Sequence, residues 1–276
     1  MTGSTTATES QSLQADLHKT TAATKNAPAP DVAEGKDDQD VLYTPWRLAF
    51  YDFWVLGIVT SYAWCCPTTT YLLPLFRANV RKNHLDIGVG SGYYLDPSTV
   101  PATAKLTLVD SESHALAVAK VRTKRSDVTA IVANVLKPLP LSQKYDSVSM
   151  YSLIPSLLNK ESEQAQGLKD IIILGMYYLL HCIPGSIEEK CRVFSNIKIH
   201  MAPDGVLTGA NILNKGVKQD NFFGVWIRRG ITKHGILHNQ SDTAYDFEHA
   251  LRENFHKVET WVVGSIFIFR AESPKI

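Results

Sequence analysis

The sequence predicts an α/β protein built on a mostly parallel, seven-stranded sheet, and three observations carry that expectation. The short run His84-Leu85-Asp86-Ile87 feeds three glycines at alternate positions, Gly88, Gly90 and Gly92. A second apolar run, Lys105 to Val109, ends in Asp110, about 20 positions beyond the glycines, which is the layout of a nucleotide-binding β-turn-α-β unit. Beyond it, strand and helix patterns alternate until a closing hairpin.

Glycine suits the turn because the backbone there takes positive φ and a ligand must lie against bare main chain. An acid at the tip of the second strand can accept both hydroxyls of a ribose. The spacing then discriminates among ligands. A dinucleotide fingerprint would place its third glycine where Tyr93 stands, and a phosphate-cradling loop would need Gly-Lys-Ser/Thr, which is absent. A Gly-x-Gly-x-Gly turn after the strand-borne Asp86 resembles motif I of class I S-adenosylmethionine-dependent methyltransferases. A helix is expected to start beyond Gly92.

Composition narrows the class. Lys and Arg number 28 against 27 Asp and Glu, so net charge offers no electrostatic reason to expect nucleic acid or an anionic membrane surface. No pair among Cys65, Cys66, Cys182 and Cys191 has metal-ligand spacing, and no metal site is expected. With no secretory signal, the chain is expected to be cytoplasmic with reduced thiols. Residues 1–40 are rich in Thr, Ala, Ser, Gln and Asp and read as a disordered tail. Residues 41–82 change character abruptly. Phe53 to Phe76 carries no charge, yet Gly57, Pro67 and Pro74 cut it into pieces too short to span a bilayer. It reads as a pair of buried helices, or as a lid whose aromatic side chains suit a sulfonium cation.

Tyr51-Asp52-x-Trp54-Val55-Leu56-Gly57, then Trp64-x-Cys66-Pro67, then the glycine turn, resembles the small methyltransferases of fungal secondary-metabolite gene clusters. The resemblance runs over residues 46–272. It implies a Rossmann-like class I methyltransferase fold over residues 83–276 behind a helical N-terminal lid (41–82). It also implies S-adenosyl-L-methionine as cofactor.

In chain order, Ser113 to Arg125 reads as a helix with Ala115, Leu116, Ala119 and Val121 available for packing. Strand three, Val128 to Ala133, ends at Asn134, where the family usually has an acid that accepts from the adenine amino group; Asn134 does so through its carbonyl. Strand four is Lys144 to Met150. Residues 151–176 then read as an insertion, or as a gene-model artefact such as an in-frame intron. Removing them would join Met150 to Tyr177 and restore the family's strand-to-Leu-His-Cys-x-Pro-Gly turn. The resemblance places His181 just past that strand, where a neutral imidazole could take a proton from the acceptor. Glu188 to His200 reads as a helix burying Val193, Ile197 and Ile199; a turn at 201–205 precedes strand five, Val206 to Leu213. A helix over Asn221 to Arg229 offers Phe222, Phe223 and Trp226 to the core or to an acceptor pocket. A last helix capped by Ser241 or Asp242 precedes the hairpin of His256 to Val263 and Ser265 to Arg270.

The resemblance thus implies methyl transfer from S-adenosylmethionine to a small-molecule secondary metabolite, at oxygen. Gly88, Gly90 and Gly92 would hold the cofactor's amino-acid end, Asp110 its ribose and Asn134 its adenine, with Asp86 also counted among the cofactor-binding residues. Tyr51, Trp64 and His181 would stand near the transferred methyl. Two other readings stay open: a relative that binds the cofactor but catalyses a cyclisation or rearrangement, and a non-catalytic relative. Neither a nucleic-acid partner nor stable membrane insertion is expected.

Overall fold

The computed structural model describes residues 50, 52–151, 180, 183, 185–217, 222–233 (backbone only at 231–233) and 238–276. The first helix, α1 (Asp52–Ala63), is of the wide π type, and the Trp64 amide that follows it still donates five residues back, to Val59 O, at 3.0 Å. Val55, Leu56, Val59, Thr60 and Ala63 are buried, whereas Phe53 and Tyr62 face outward. α2 (Leu72–Asn79) buries Leu72 and Phe76 against the same core.

The sheet has seven strands in the order β3-β2-β1-β4-β5-β7-β6. They are β1 (Asn83–Ile87), β2 (Lys105–Asp110), β3 (Thr129–Val132), β4 (Tyr145–Met150), β5 (Met201–Ile212), β6 (Phe255–Val263) and β7 (Ile266–Pro274). Strands β1 to β5 pair in parallel, and β7 runs antiparallel to both β5 and β6. The connecting helices are α3 (Ser113–Thr123), α4 (Ile187–Lys198), α5 (Phe222–Lys233) and α6 (Ala244–Asn254). The chain winds outward from β1 to β3, then returns to β4 on the other side of β1. That reversal opens a crevice above the C-terminal end of β1, where open α/β sheets bind ligands.

Both faces of the sheet are covered, so strand residues alternate between two cores. Ile266 and Ile268 of β7 join the core under α1, α2 and α3, while Phe267 and Phe269 join the one under α4 and α6. Among the described residues no helix is long and apolar enough to cross a membrane.

Several local expectations need correction. The helix expected after Gly92 is a single 3-10 turn, Tyr93–Leu95, because Asp96-Pro97 follows and a residue before proline is driven out of the helical region. Val121 is 79% exposed, on the outer face of α3. Ile199 caps the end of α4 and is likewise exposed, and so is Phe222 at the start of α5. The turn expected at 201–205 is the irregular start of β5: Tyr145 pairs with Met201, then the register jumps to Ser147 with Val206. α6 is capped by Thr243, whose hydroxyl accepts from the Asp246 amide at 3.2 Å, because Asp242 is engaged elsewhere. Of residues 151–176 only Tyr151 is described. It is buried against Tyr94 and Phe76, with ring centroids 4.8 and 5.8 Å away. The rest of that stretch lies outside the described residues, as does the 1–40 segment.

Candidate cofactor and acceptor site

The site begins where β1 runs out. Gly88, Gly90 and Gly92 take φ of +69°, +53° and +69°, a left-handed sequence that side chains disfavour. The Gly88 amide donates to Val109 O at 2.8 Å, tying the turn to β2. At Gly92 space adds to conformation, since a Cβ there would lie 2.8 Å from Ala119 Cα of α3.

Asp110 ends β2 beside this turn and is only 2% exposed. Its Oδ1 accepts from the Glu112 amide at 3.0 Å, whereas the buried Oδ2 has no hydrogen-bond partner. Burial pushes the carboxyl up to about 6; the amides of Glu112, Gly90 and Val89 pull the other way without completing a bond to Oδ2. Buried polar atoms are rarely left unpaired, so an unpartnered acceptor at a strand tip is a place for a ligand's hydroxyl.

Asp86 lies below the turn on β1. Burial is the main cause that lifts its carboxyl to about 7, with the charge of Asp110 adding to the rise and the Ser149 hydroxyl opposing it. Ser149 is part of a buried chain absent from the sequence reading. The Arg81 amide donates to Ser147 Oγ at 2.9 Å, and His84 spans Ser147 Oγ (2.7 Å from Nδ1) and Ser149 Oγ (2.9 Å from Nε2). Ser149 donates its proton to Asp86 Oδ1, so its oxygen accepts from Nε2 and His84 accepts at Nδ1. Burial pushes His84 down to about 3, hence it is neutral. Two buried carboxyls, one of which raises the pKa of the other, form a site for a cation, which would favour the ionised state of Asp86.

The N-terminal helix is fastened to this turn by residues the sequence reading gave no role. Asp52 Oδ2 lies 2.6 Å from Arg122 Nη1, its Oδ1 accepts from the Ser91 hydroxyl at 3.1 Å, and Arg122 covers the Tyr93 ring at 5.4 Å. Asp52→Ala is expected to loosen α1 by about 1–3 kcal/mol, since Arg122 would be left half-buried and unpaired. Hydrogen exchange should then quicken selectively over residues 52–63; unchanged exchange would show the clamp to be idle.

Of the remaining expected residues, Asn134 and Trp64 are described. Asn134 is exposed beyond β3, with Oδ1 accepting from the Leu136 amide at 2.9 Å in a local turn. Trp64 is buried, but its partners are the Arg228 guanidinium, 4.9 Å from its ring, and the Ser265 amide, which donates to Trp64 O at 2.9 Å. That places it at the β5–β7 end of the sheet rather than against the glycine turn. Tyr51 and His181 lie outside the described residues. Among the described residues no group of His, Cys, Asp or Glu could hold a metal ion.

The fold and this turn define a nucleoside-binding α/β protein of the Rossmann-like kind. No family model matches the chain. It is 50% identical to O-methyltransferase adaD of Aspergillus niger over 242 residues, covering 87% of this chain and 90% of that one. It is 52% identical to N-methyltransferase vrtF of Penicillium aethiopicum over 237 residues (86% and 89%). It is 45% identical to the physcion biosynthesis cluster O-methyltransferase of Aspergillus chevalieri over 237 residues (85% and 95%). Among solved structures, the complex of DhpI with S-adenosylhomocysteine matches the fold with a TM-score of 0.52 at 14% identity, over 86% of this chain and 96% of that one. The chain belongs to the S-adenosylmethionine-dependent methyltransferases of fungal secondary-metabolite biosynthesis.

Proposed function

We propose that this enzyme methylates an oxygen atom of a small secondary metabolite. The observation that carries the cofactor side is Asp110, a buried carboxylate with one free acceptor oxygen beside three left-handed glycines. O-methyltransferases among its relatives support the choice of oxygen.

When bound, S-adenosylmethionine supplies a methyl group on a positively charged sulfur. Asp110 would accept from the ribose hydroxyls, and Asp86, held by Ser149 and His84, would sit below the cationic amino-acid end. The Asp52–Arg122 clamp holds α1 at the glycine turn, and in this reading the N-terminal helices form a lid that excludes water. Methyl transfer is an in-line displacement, so alignment by these walls supplies much of the rate. His181 is the base this reading assigns to the acceptor hydroxyl. Incubation with methyl-labelled S-adenosylmethionine and matched phenols and anilines tests it. Label in phenol ethers supports the assignment, and label confined to amines would overturn it.

A further inference from the structure

Arg228 of α5 is a buried cation whose hydrogen bonding is incomplete among the described residues. The residue is 8% exposed, yet no carboxylate pairs with it among the described residues. Its Nη1 donates to Leu213 O and Asn214 Oδ1, both at 3.0 Å, immediately beyond the C-terminal end of β5. Neither bond uses Nε or Nη2, and Nε is buried without a partner. Trp64 lies under the guanidinium plane. Burial lowers the group only to about 10, so it remains a cation at neutral pH.

A buried, unpaired cation is costly, and a cation–π contact with two neutral hydrogen bonds offsets that cost only in part. The Nε–Nη2 edge, which no hydrogen bond among the described residues uses, has the two parallel donors that a carboxylate accepts in bidentate fashion. The position suits the acceptor rather than the cofactor. β5 is separated from β1 by β4, so the β5 end that Arg228 contacts lies two strands along the ligand-binding edge from the strand that feeds the glycine turn. α5 is held there by close contact with α1: a Cβ at Gly224 would lie 2.5 Å from Ala63 O.

We propose that Arg228 is the specificity residue for a carboxylate on the acceptor, making the substrate a carboxylic acid rather than a neutral phenol. This rests on the methyltransferase reading. The carboxylate docks on the Nε–Nη2 edge over Trp64, and the hydroxyl to be methylated is thereby turned toward β4 and the cofactor.

Calorimetric titration of the protein saturated with S-adenosylhomocysteine, using salicylate and its neutral isostere salicylamide as probes, tests the proposal. Salicylate should bind at least tenfold more tightly than salicylamide. Arg228→Gln should remove that preference, and Arg228→Lys should keep part of it. Affinity for S-adenosylhomocysteine reports folding of each variant, and the wild-type comparison of acid with amide needs no variant. Equal binding of the two probes, or a preference that survives in Arg228→Gln, would overturn the proposal alone. A wild-type protein that fails to bind S-adenosylhomocysteine would overturn the methyltransferase reading and the proposal with it.

Discussion

Asp110→Asn is expected to stabilise the ligand-free protein at pH 8 while removing most of its affinity for S-adenosylmethionine. The folded carboxyl sits at about 6 against an ordinary 3.8, chiefly because it is buried. A raised pKa means that the folded state holds the proton more tightly than the unfolded chain. The associated stability is therefore complete below pH 4 and is lost as pH rises through 6. At pH 8 the ionised group costs up to about 3 kcal/mol, at about 1.4 kcal/mol per pH unit. Asparagine keeps the acceptor for the Glu112 amide and removes the charge. Apparent melting temperature should thus rise by several degrees at pH 8 and hardly at pH 4. Cofactor affinity should fall roughly 5- to 150-fold, for a lost charged partner worth about 1–3 kcal/mol. In the wild type, affinity should weaken as pH drops below 7, where Asp86 and then Asp110 take up protons. Scanning calorimetry at the two pH values checks the first part; a variant less stable than wild type at pH 8 would refute it.

The largest loss of stability is expected from Lys190→Met. Lys190 and Asp242 have side chains with no exposed surface at all. Nζ donates to both Asp242 oxygens, at 2.9 and 2.8 Å, and to His238 O at 2.6 Å, so its three protons have three acceptors. The pair joins α4 to the segment before α6, and Asn239 in that segment donates to Ile212 O at the end of β5 at 3.0 Å. Removing the lysine leaves a carboxylate buried without its cation, which costs about 3–5 kcal/mol. For a chain of this size that corresponds to a melting temperature lower by roughly 10 °C. The double variant Lys190→Met/Asp242→Leu should recover most of the loss, because a buried pair is worth little more than well-packed apolar residues. A single variant as stable as wild type would show that the pair carries no load.

The sheet was legible because its signals are local. Apolar runs, the alternate glycines and Asp110 all fall within a few residues of one another, and the closing hairpin reads from period-two patterning. Partnerships across the chain were not legible. Asp52 finds Arg122 only after β1 and β2 pair, and Asp242, read as a helix cap, is drawn into the core by Lys190 from another helix. Arg228 looks like any helical arginine until α5 is laid over Trp64. Val121 and Ile199 were misjudged for a related reason: an apolar residue on a helix does not declare whether its face meets the sheet. The buried His84–Ser149–Asp86 chain depends on β1 lying beside β4, a pairing that spans more than 60 residues.

The most direct measurement is calorimetric titration of the purified protein with S-adenosylmethionine at pH 8, beside Asp110→Ala. Saturable binding by the wild type, weakened at least fivefold in the variant, is the result expected if the glycine turn and Asp110 hold the cofactor. A protein that melts cooperatively but binds no cofactor would contradict that account, leaving the turn as architecture alone.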